Sequence, residues 1–126
     1  MASISIASGK HAVYRNDLSD GSSPYTNILT ADDGAGCVLQ DKTGKVWVFR
    51  INSAKVQFKR STDTIGTAWG SWMDVVASLV KDGVPTAEEL PTGRITVAYW
   101  KTDDKWYASY TDNYGTDWTE VEITTA

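Results

Sequence analysis

The feature that most constrains the fold of this 126-residue chain is a segment that occurs twice. The stretch STDTIGTAW at 61–69 is matched by YTDNYGTDW at 110–118, with Thr, Asp, Gly, Thr and Trp at the same five places. The shift from Asp63 to Asp112, 49 residues, also aligns 43–69 with 92–118 without a gap. A period near 50 residues is typical of proteins built from repeated supersecondary units that pack against one another.

Each unit is predicted to be a four-stranded antiparallel meander. In the middle unit the segments GCVLQ, KVWVFRI, KVQFKRS and WMDVV are rich in β-branched and aromatic residues and are separated by turns. Short turns require neighbouring strands to run antiparallel. The last unit repeats the pattern with RITVAYW, KWYASYT and TEVEI. The stretch before it, 77–91, is compatible with either a short helical turn or a long connection containing a weak strand.

A partial unit is predicted near the N-terminus, with strands at 3–7, 11–16 and 25–30 and no recognisable first strand. Six Trp and six Tyr also favour a β-rich protein. We therefore predict one all-β domain over 1–126, made of antiparallel four-stranded meander blades of the β-propeller type. About three blades are expected, the first incomplete, at about 3–30, 36–77 and 84–123.

The repeated segment is predicted to form the turn between the third and fourth strands of each unit. Its Asp can accept hydrogen bonds from turn amides, its Gly permits a positive φ, and its Trp can pack between adjacent sheets. A catalytic Asp is the alternative, but duplicated turn chemistry explains all the identities. The predicted structural residues are Asp63, Gly66 and Trp69 in the first copy and Asp112, Gly115 and Trp118 in the second.

This segment resembles the Asp box, S/T-x-D-x-G-x-T-W, of sialidases and other BNR-repeat β-propellers. It has one extra residue between Asp and Gly. The resemblance covers about 36–123 and, more weakly, 3–30. It implies propeller blades in which the Asp box is a fold element on the face away from the active site.

A sialidase activity is the less favoured implication of this resemblance. The stretch VFRIN at 48–52 resembles the F/Y-R-I-P element whose Arg binds the substrate carboxylate, but Asn52 replaces the Pro and Arg50 lies in a repeated strand. The chain has four Arg in all, and its Glu residues cluster in one unit. No catalytic residue is therefore predicted.

Composition and charge argue against other functions. Net charge is −4 and the basic residues are scattered, which does not suit nucleic acid. No apolar run could span a membrane, and MASISIAS lacks the features of a signal peptide. One His and one Cys give no basis for a zinc site, and the acidic pairs match no EF-hand loop. We expect no cofactor, metal, nucleic-acid or membrane partner.

Three functions remain, in order of preference. The first is a non-enzymatic recognition module for a glycan or cell-surface ligand, by analogy part of a phage tail fibre or virion. The second is a structural virion protein whose blades pack against themselves or a partner, and the third is an oligomeric sialidase-like glycosidase. Because three blades leave sheet edges exposed, we expect a homo-oligomer or a larger assembly.

Turns of a meander alternate between the two ends of the sheet. The repeated segment occupies one end, so the opposite end carries the more variable loops, where binding residues are usual. The segments predicted there are 52–55 and 101–105, with 30–36 and 79–91 as connections. The candidate ligand-binding residues are Asp32, Asp33, Asn52, Trp100, Asp103, Asp104 and Trp106.

Overall fold

The structure, a computed structural model, describes 36–64 and 68–123 with their side chains; before them it describes the strands within 2–7, 10–15 and 25–30 by their backbone. These residues form an all-β protein, and no helix occurs in the described ranges. Accordingly, none of the described segments is a helix that could cross a membrane.

The strands form three antiparallel sheets. The first sheet has the order β1 (Ala2–Ala7), β2 (Lys10–Arg15) and β3 (Tyr25–Thr30). The second has the order β4 (Gly36–Gln40), β5 (Val46–Asn52), β6 (Lys55–Arg60) and β7 (Met73–Val76). The third has the order β8 (Thr86–Glu89), β9 (Ile95–Trp100), β10 (Trp106–Thr111) and β11 (Thr119–Ile123). The predicted all-β class and the two four-stranded antiparallel meanders are confirmed.

The second and third sheets differ by one residue in the turn between their second and third strands. Ser53 and Ala54, both with positive φ (52° and 61°), form a two-residue turn between β5 and β6. Between β9 and β10, the Lys101 amide donates to the Lys105 carbonyl and Asp104 has the positive φ (62°), as in a three-residue turn with a bulge. Beyond this turn, equivalent positions in the two sheets are therefore 50 residues apart, not 49.

The second sheet lies in the middle of the core because both faces of β5 are buried. Trp47 and Phe49, each 0% exposed, pack with β6 against the third sheet, where Ile95, Val97 and Tyr99 belong to the same cluster. On the other face, Val46 and Val48 pack with Trp69 and Trp72. Only alternate residues of β9 are buried, so the third sheet uses one face for the core.

A buried carboxylate holds the turn between β4 and β5. The side chain of Asp41 is fully buried and accepts hydrogen bonds from Trp47 Nε1 (2.8 Å) and from Arg60 Nη2 (2.9 Å). It also accepts from the backbone amides of Thr43 and Lys45. Burial alone would raise the pKa of Asp41, but the hydrogen bonds from Thr43, Trp47 and Arg60 outweigh it and hold the pKa below its usual value.

Candidate functional site

The two ends of the second and third sheets carry different kinds of loop. We call the end with the described parts of the repeated segments, 61–64, 68–69 and 110–118, the motif end. The turns 41–45 and 90–94 lie at the same end. For example, the Ser61 amide donates to the carbonyl of Val46 (2.7 Å), which directly follows the turn 41–45. We call the opposite end, with 53–54, 77–85 and 101–105, the loop end.

In the first repeated segment, short polar side chains fix the turn. Ser61, 2% exposed, accepts a hydrogen bond from the Val46 amide (2.8 Å) and donates to the Asp63 carbonyl (2.7 Å). The carboxylate of Asp63 accepts from the Ala68 amide (3.0 Å). Asp63 therefore has the predicted role of accepting a turn amide. Gly66 lies outside the described residues.

In the second segment, Asn113 and not Asp112 has this role. Asn113 Oδ1 accepts from the Asp117 amide (2.9 Å), whereas Asp112 forms an ion pair with Arg94 (2.9 Å) on the surface. That pairing lowers the pKa of Asp112. The gapless alignment missed this because the longer turn 101–105 shifts the register by one residue. With the shift, Thr111 corresponds to Ser61, and Thr111-x-Asn113-x-Gly115 has the Asp-box spacing without an extra residue.

The tryptophans of the two segments pack on different faces of the second sheet. Trp118 meets Phe58 edge-on at a centroid distance of 5.5 Å and meets Trp47 and Phe49 at 6.5 Å, between the second and third sheets. Gly115, with φ of 90°, lies so close to this cluster that a Cβ would be 2.6 Å from Phe58 Cζ. Trp69 packs on the opposite face, beside Val46 and Val48.

We expect Asn113→Ala to lower the free energy of unfolding by about 1 kcal/mol, because the turn amide of Asp117 loses its acceptor. The matched variant Asp112→Ala removes only a surface ion pair, so its urea midpoint should equal that of the wild type within error. Urea denaturation followed by tryptophan fluorescence measures both. A larger loss for Asp112→Ala than for Asn113→Ala would contradict the shifted equivalence.

Backbone hydrogen bonds join the loop end into one surface. The Val80 amide donates to the Ala54 carbonyl (3.1 Å), and the Thr102 amide donates to the Leu79 carbonyl (2.8 Å). Four of the five described non-glycine residues with positive φ lie here: Ser53, Ala54, Leu79 and Asp104. The hairpin turns require this conformation at Ser53, Ala54 and Asp104, whereas Leu79 adopts it in the connection between the sheets, where such conformations are costly. The sequence-based assignment of 52–55 and 101–105 to one end agrees with these contacts.

Two predicted carboxylates of this end are ionised acceptors. Asp103 accepts from Tyr107 Oη (2.6 Å) and from the Lys105 amide (3.1 Å), and the hydrogen bond from Tyr107 lowers the pKa of Asp103. The same bond raises the pKa of Tyr107 to about 12. Asp104 pairs with Lys81, which lowers the pKa of Asp104. Each oxygen keeps acceptor capacity toward solvent.

The two predicted tryptophans of this end form a pair beside these carboxylates. The rings of Trp100 and Trp106 lie 5.0 Å apart at an interplanar angle of 72°. A hydrogen bond from Trp100 also contributes to the lowered pKa of Asp104. Trp106 is 47% exposed, a large fraction for an indole ring. The structure thus brings together four of the seven predicted residues: Trp100, Asp103, Asp104 and Trp106.

The remaining predictions have other outcomes. Asn52 lies at the same end but on the neighbouring hairpin, where its Oδ1 accepts from Ser53 Oγ. Asp32 and Asp33 lie outside the described residues. The connection predicted at 79–91 is shorter, because Thr86–Glu89 is a strand.

Three residues of the loop end were not among the predicted ligand-binding residues, although Lys81 and Lys101 lie in the segments 79–91 and 101–105 that were predicted at this end. Lys81 and Tyr107 contact Asp104 and Asp103, and Lys101 lies 4.7 Å from the Tyr107 ring. The alternation of KWYASYT could have placed Tyr107 near the turn, but nothing in the sequence links Lys81 to it. In 36–64 and 68–123, no three His, Cys, Asp or Glu side chains come together as a metal site would require.

Comparison with known proteins adds no family to this description. No family model matches the chain, and the search of curated proteins finds none that is similar to it.

Proposed function

We propose that this protein is a non-enzymatic recognition module that binds a glycan at the loop end. The observation that carries this proposal is the Trp100–Trp106 pair, in which a half-exposed indole ring lies beside the Asp103–Asp104 turn. Aromatic rings with one apolar face and one polar edge suit surfaces that bind amphipathic ligands. A sugar ring is such a ligand, since its C–H face is apolar and its edge carries hydroxyls.

The polar groups of the loop end match a hydroxyl-rich ligand. Ionised carboxylates accept hydrogen bonds and cannot donate them, and a sugar hydroxyl donates one hydrogen bond. Asp103 and Asp104 offer such acceptors, and Lys81, which pairs with Asp104, offers further donors within the same surface. The positive φ of Leu79, which no hairpin turn accounts for, supports a role for this end beyond joining strands.

The three sheets are, in this proposal, blades of a β-propeller, about three in number with the first incomplete. The first strands of the sheets lie side by side, with β4 in contact with both β1 and β8, as expected for blades arranged around an axis. The Asp-box spacing of Thr111, Asn113 and Gly115 supports the same interpretation. The assignment to a virion or tail fibre stays a prediction from analogy.

A glycosidase is less well supported by the same geometry. Arg50, the candidate carboxylate-binding residue, donates to Gln57 Oε1 (2.8 Å) and lies over the Trp72 ring at 3.9 Å. It is thus engaged in the face of the second sheet that packs around Val46 and Val48. We therefore propose binding without turnover.

A glycan array probed with the whole chain tests this function. We expect selective binding to a subset of glycans, and a loss of at least tenfold in apparent affinity for Trp106→Ala, since aromatic anchors carry much of the binding energy. Met73→Ala, at an exposed apolar residue of β7 outside the loop end, is the control and should bind normally. No binding to any glycan, equal binding by Trp106→Ala, or turnover of a fluorogenic sialoside would overturn the proposal.

A further inference from the structure

One face of the third sheet is uncovered in the part of the chain that the structure describes. We call it the outer face; its residues alternate with those of the core along β8–β11. Two of its apolar side chains, Val121 and Ile123, are about half exposed, and Trp106 lies at its border with the loop end. Glu88 is the one charged side chain that these four strands place on it. The Arg94–Asp112 ion pair lies at its motif-end border, where Arg94 stacks on the Tyr110 ring. The middle of the outer face, around Ala98, Ala108 and Val121, is therefore apolar and uncharged.

The second sheet shows what covers a face of this kind. The repeat aligns β5 with β9, so that Ala98 on the outer face corresponds to Phe49. Phe49 is fully buried, and it packs with Phe58 against Trp118 and the third sheet. Within the chain, the equivalent face is thus covered by the sheet that follows, together with its motif tryptophan.

The outer face has room for side chains from another sheet. Its cross-strand pair Ala98 and Ala108 occupies the places of Phe49 and Phe58 in the second sheet. A depression of about 290 Å³ lies there, lined by Thr86, Ala87, Glu88, Thr96 and Ala98. Small residues on one side of a sheet-to-sheet contact favour large residues on the other side, because interiors are close-packed.

We propose that the outer face, around Ala98, Ala108 and Val121, binds a second copy of this chain, which continues the series of sheets by the packing seen between the second and third sheets and leaves Trp106 open to a ligand. Continuity with that interface identifies the occupant, because the equivalent face inside the chain is covered by one of its own sheets. The absence of charge in the middle of the outer face also suits two copies of a chain whose net charge is −4. The contact joins different surfaces of the two copies, so it produces rings if the rotation closes.

The molar mass of the whole chain without any ligand tests this inference, and the test is independent of glycan binding. Light scattering during size exclusion should give at least twice 13.8 kDa at micromolar concentration. Val121→Lys and Ala98→Glu should each give a single-chain mass. Val121 is 49% exposed in one copy, so Val121→Lys leaves the fold of that copy intact. The matched control Val84→Lys, on the connection, should keep the wild-type mass.

Far-ultraviolet circular dichroism checks that each variant keeps its β structure. A wild-type chain that stays at 13.8 kDa up to about 100 µM would overturn the proposal. A Val121→Lys variant with wild-type mass would do so too, as would equal dissociation by Val84→Lys. Because Val121→Lys leaves the core unchanged, these outcomes test the proposed contact even if Ala98→Glu does not fold.

Discussion

Trp118→Ala is expected to lower the free energy of unfolding by about 3 kcal/mol, the lower end of the usual cost of deleting a large aromatic side chain from a core, because Trp118 is partly buried. Trp118 belongs to the third sheet, yet its ring contacts Trp47, Phe49 and Phe58 of the second. Removing it leaves a cavity where the two sheets meet, and Gly115 beside it has no side chain to fill that space. Urea denaturation monitored by circular dichroism measures the effect.

Trp106→Ala is the matched control because it deletes the same side chain from the same sheet. Trp106 is 47% exposed and has one described aromatic neighbour, Trp100, so the loss should be about 1 kcal/mol or less. An equal or smaller loss of unfolding free energy for Trp118→Ala than for Trp106→Ala would contradict this account. It would show that Trp118 does not stabilise the packing of the second sheet against the third.

Asp41→Ala is the second substitution with a large expected effect, a loss of about 3–5 kcal/mol near neutral pH. It removes the acceptor for the buried indole of Trp47 and leaves the Arg60 guanidinium without its carboxylate. Breaking a buried pair in this way is costly because the remaining partner stays desolvated. Urea denaturation at pH 7 measures this loss.

The same network makes stability depend on pH in a definite direction. The folded pKa of Asp41 is below the unfolded value of about 4, so the stabilisation is fully present above that value. It is lost as the pH falls through the folded pKa. The difference in unfolding free energy between the wild type and Asp41→Ala should therefore shrink from pH 7 to pH 3. An equal difference at both pH values would show that folding does not lower the pKa of Asp41.

The second sheet was predictable because its strands differ clearly from its turns. KVWVFRI and KVQFKRS are β-branched and aromatic, and DKTG and NSAK are polar turns between them. Strand β8 was not separable from a short helical turn, because Thr86–Glu89 contains Ala and two Glu, which have low strand propensity. Pairing with β9 makes it a strand, and such pairing is not visible in the local sequence.

The position of the repeated segment was predictable, but its register was not. Thr and Asp occupy the same places in STDTIGTAW and YTDNYGTDW, so a gapless alignment pairs Asp63 with Asp112. The three-residue turn in the third sheet moves the hydrogen-bonding role to Asn113. Turn length depends on backbone conformation at Ser53, Ala54 and Asp104, none of which is a glycine that would reveal it.

The candidate site was predictable as one end of the sheets rather than as a set of contacts. Because turns alternate between the two ends of a meander, Asn52, Asp103 and Asp104 could be placed at the same end. Trp100 and Trp106 were predicted there because they flank the turn 101–105. The links through Lys81 and Leu79 come from the connection between the sheets, whose path depends on tertiary packing.

The central claim is that recognition takes place at the loop end and not at the motif end. Glycan-array binding by two triple variants tests it most directly. The loop-end variant changes Asn52, Asp103 and Asp104 to alanine. The motif-end variant changes Thr64, Asp112 and Asp117, which are exposed at the motif end, to alanine. Each variant therefore loses two negative charges. We predict that the loop-end variant loses binding and that the motif-end variant keeps it. Equal loss in both, or loss in the motif-end variant alone, would contradict the claim.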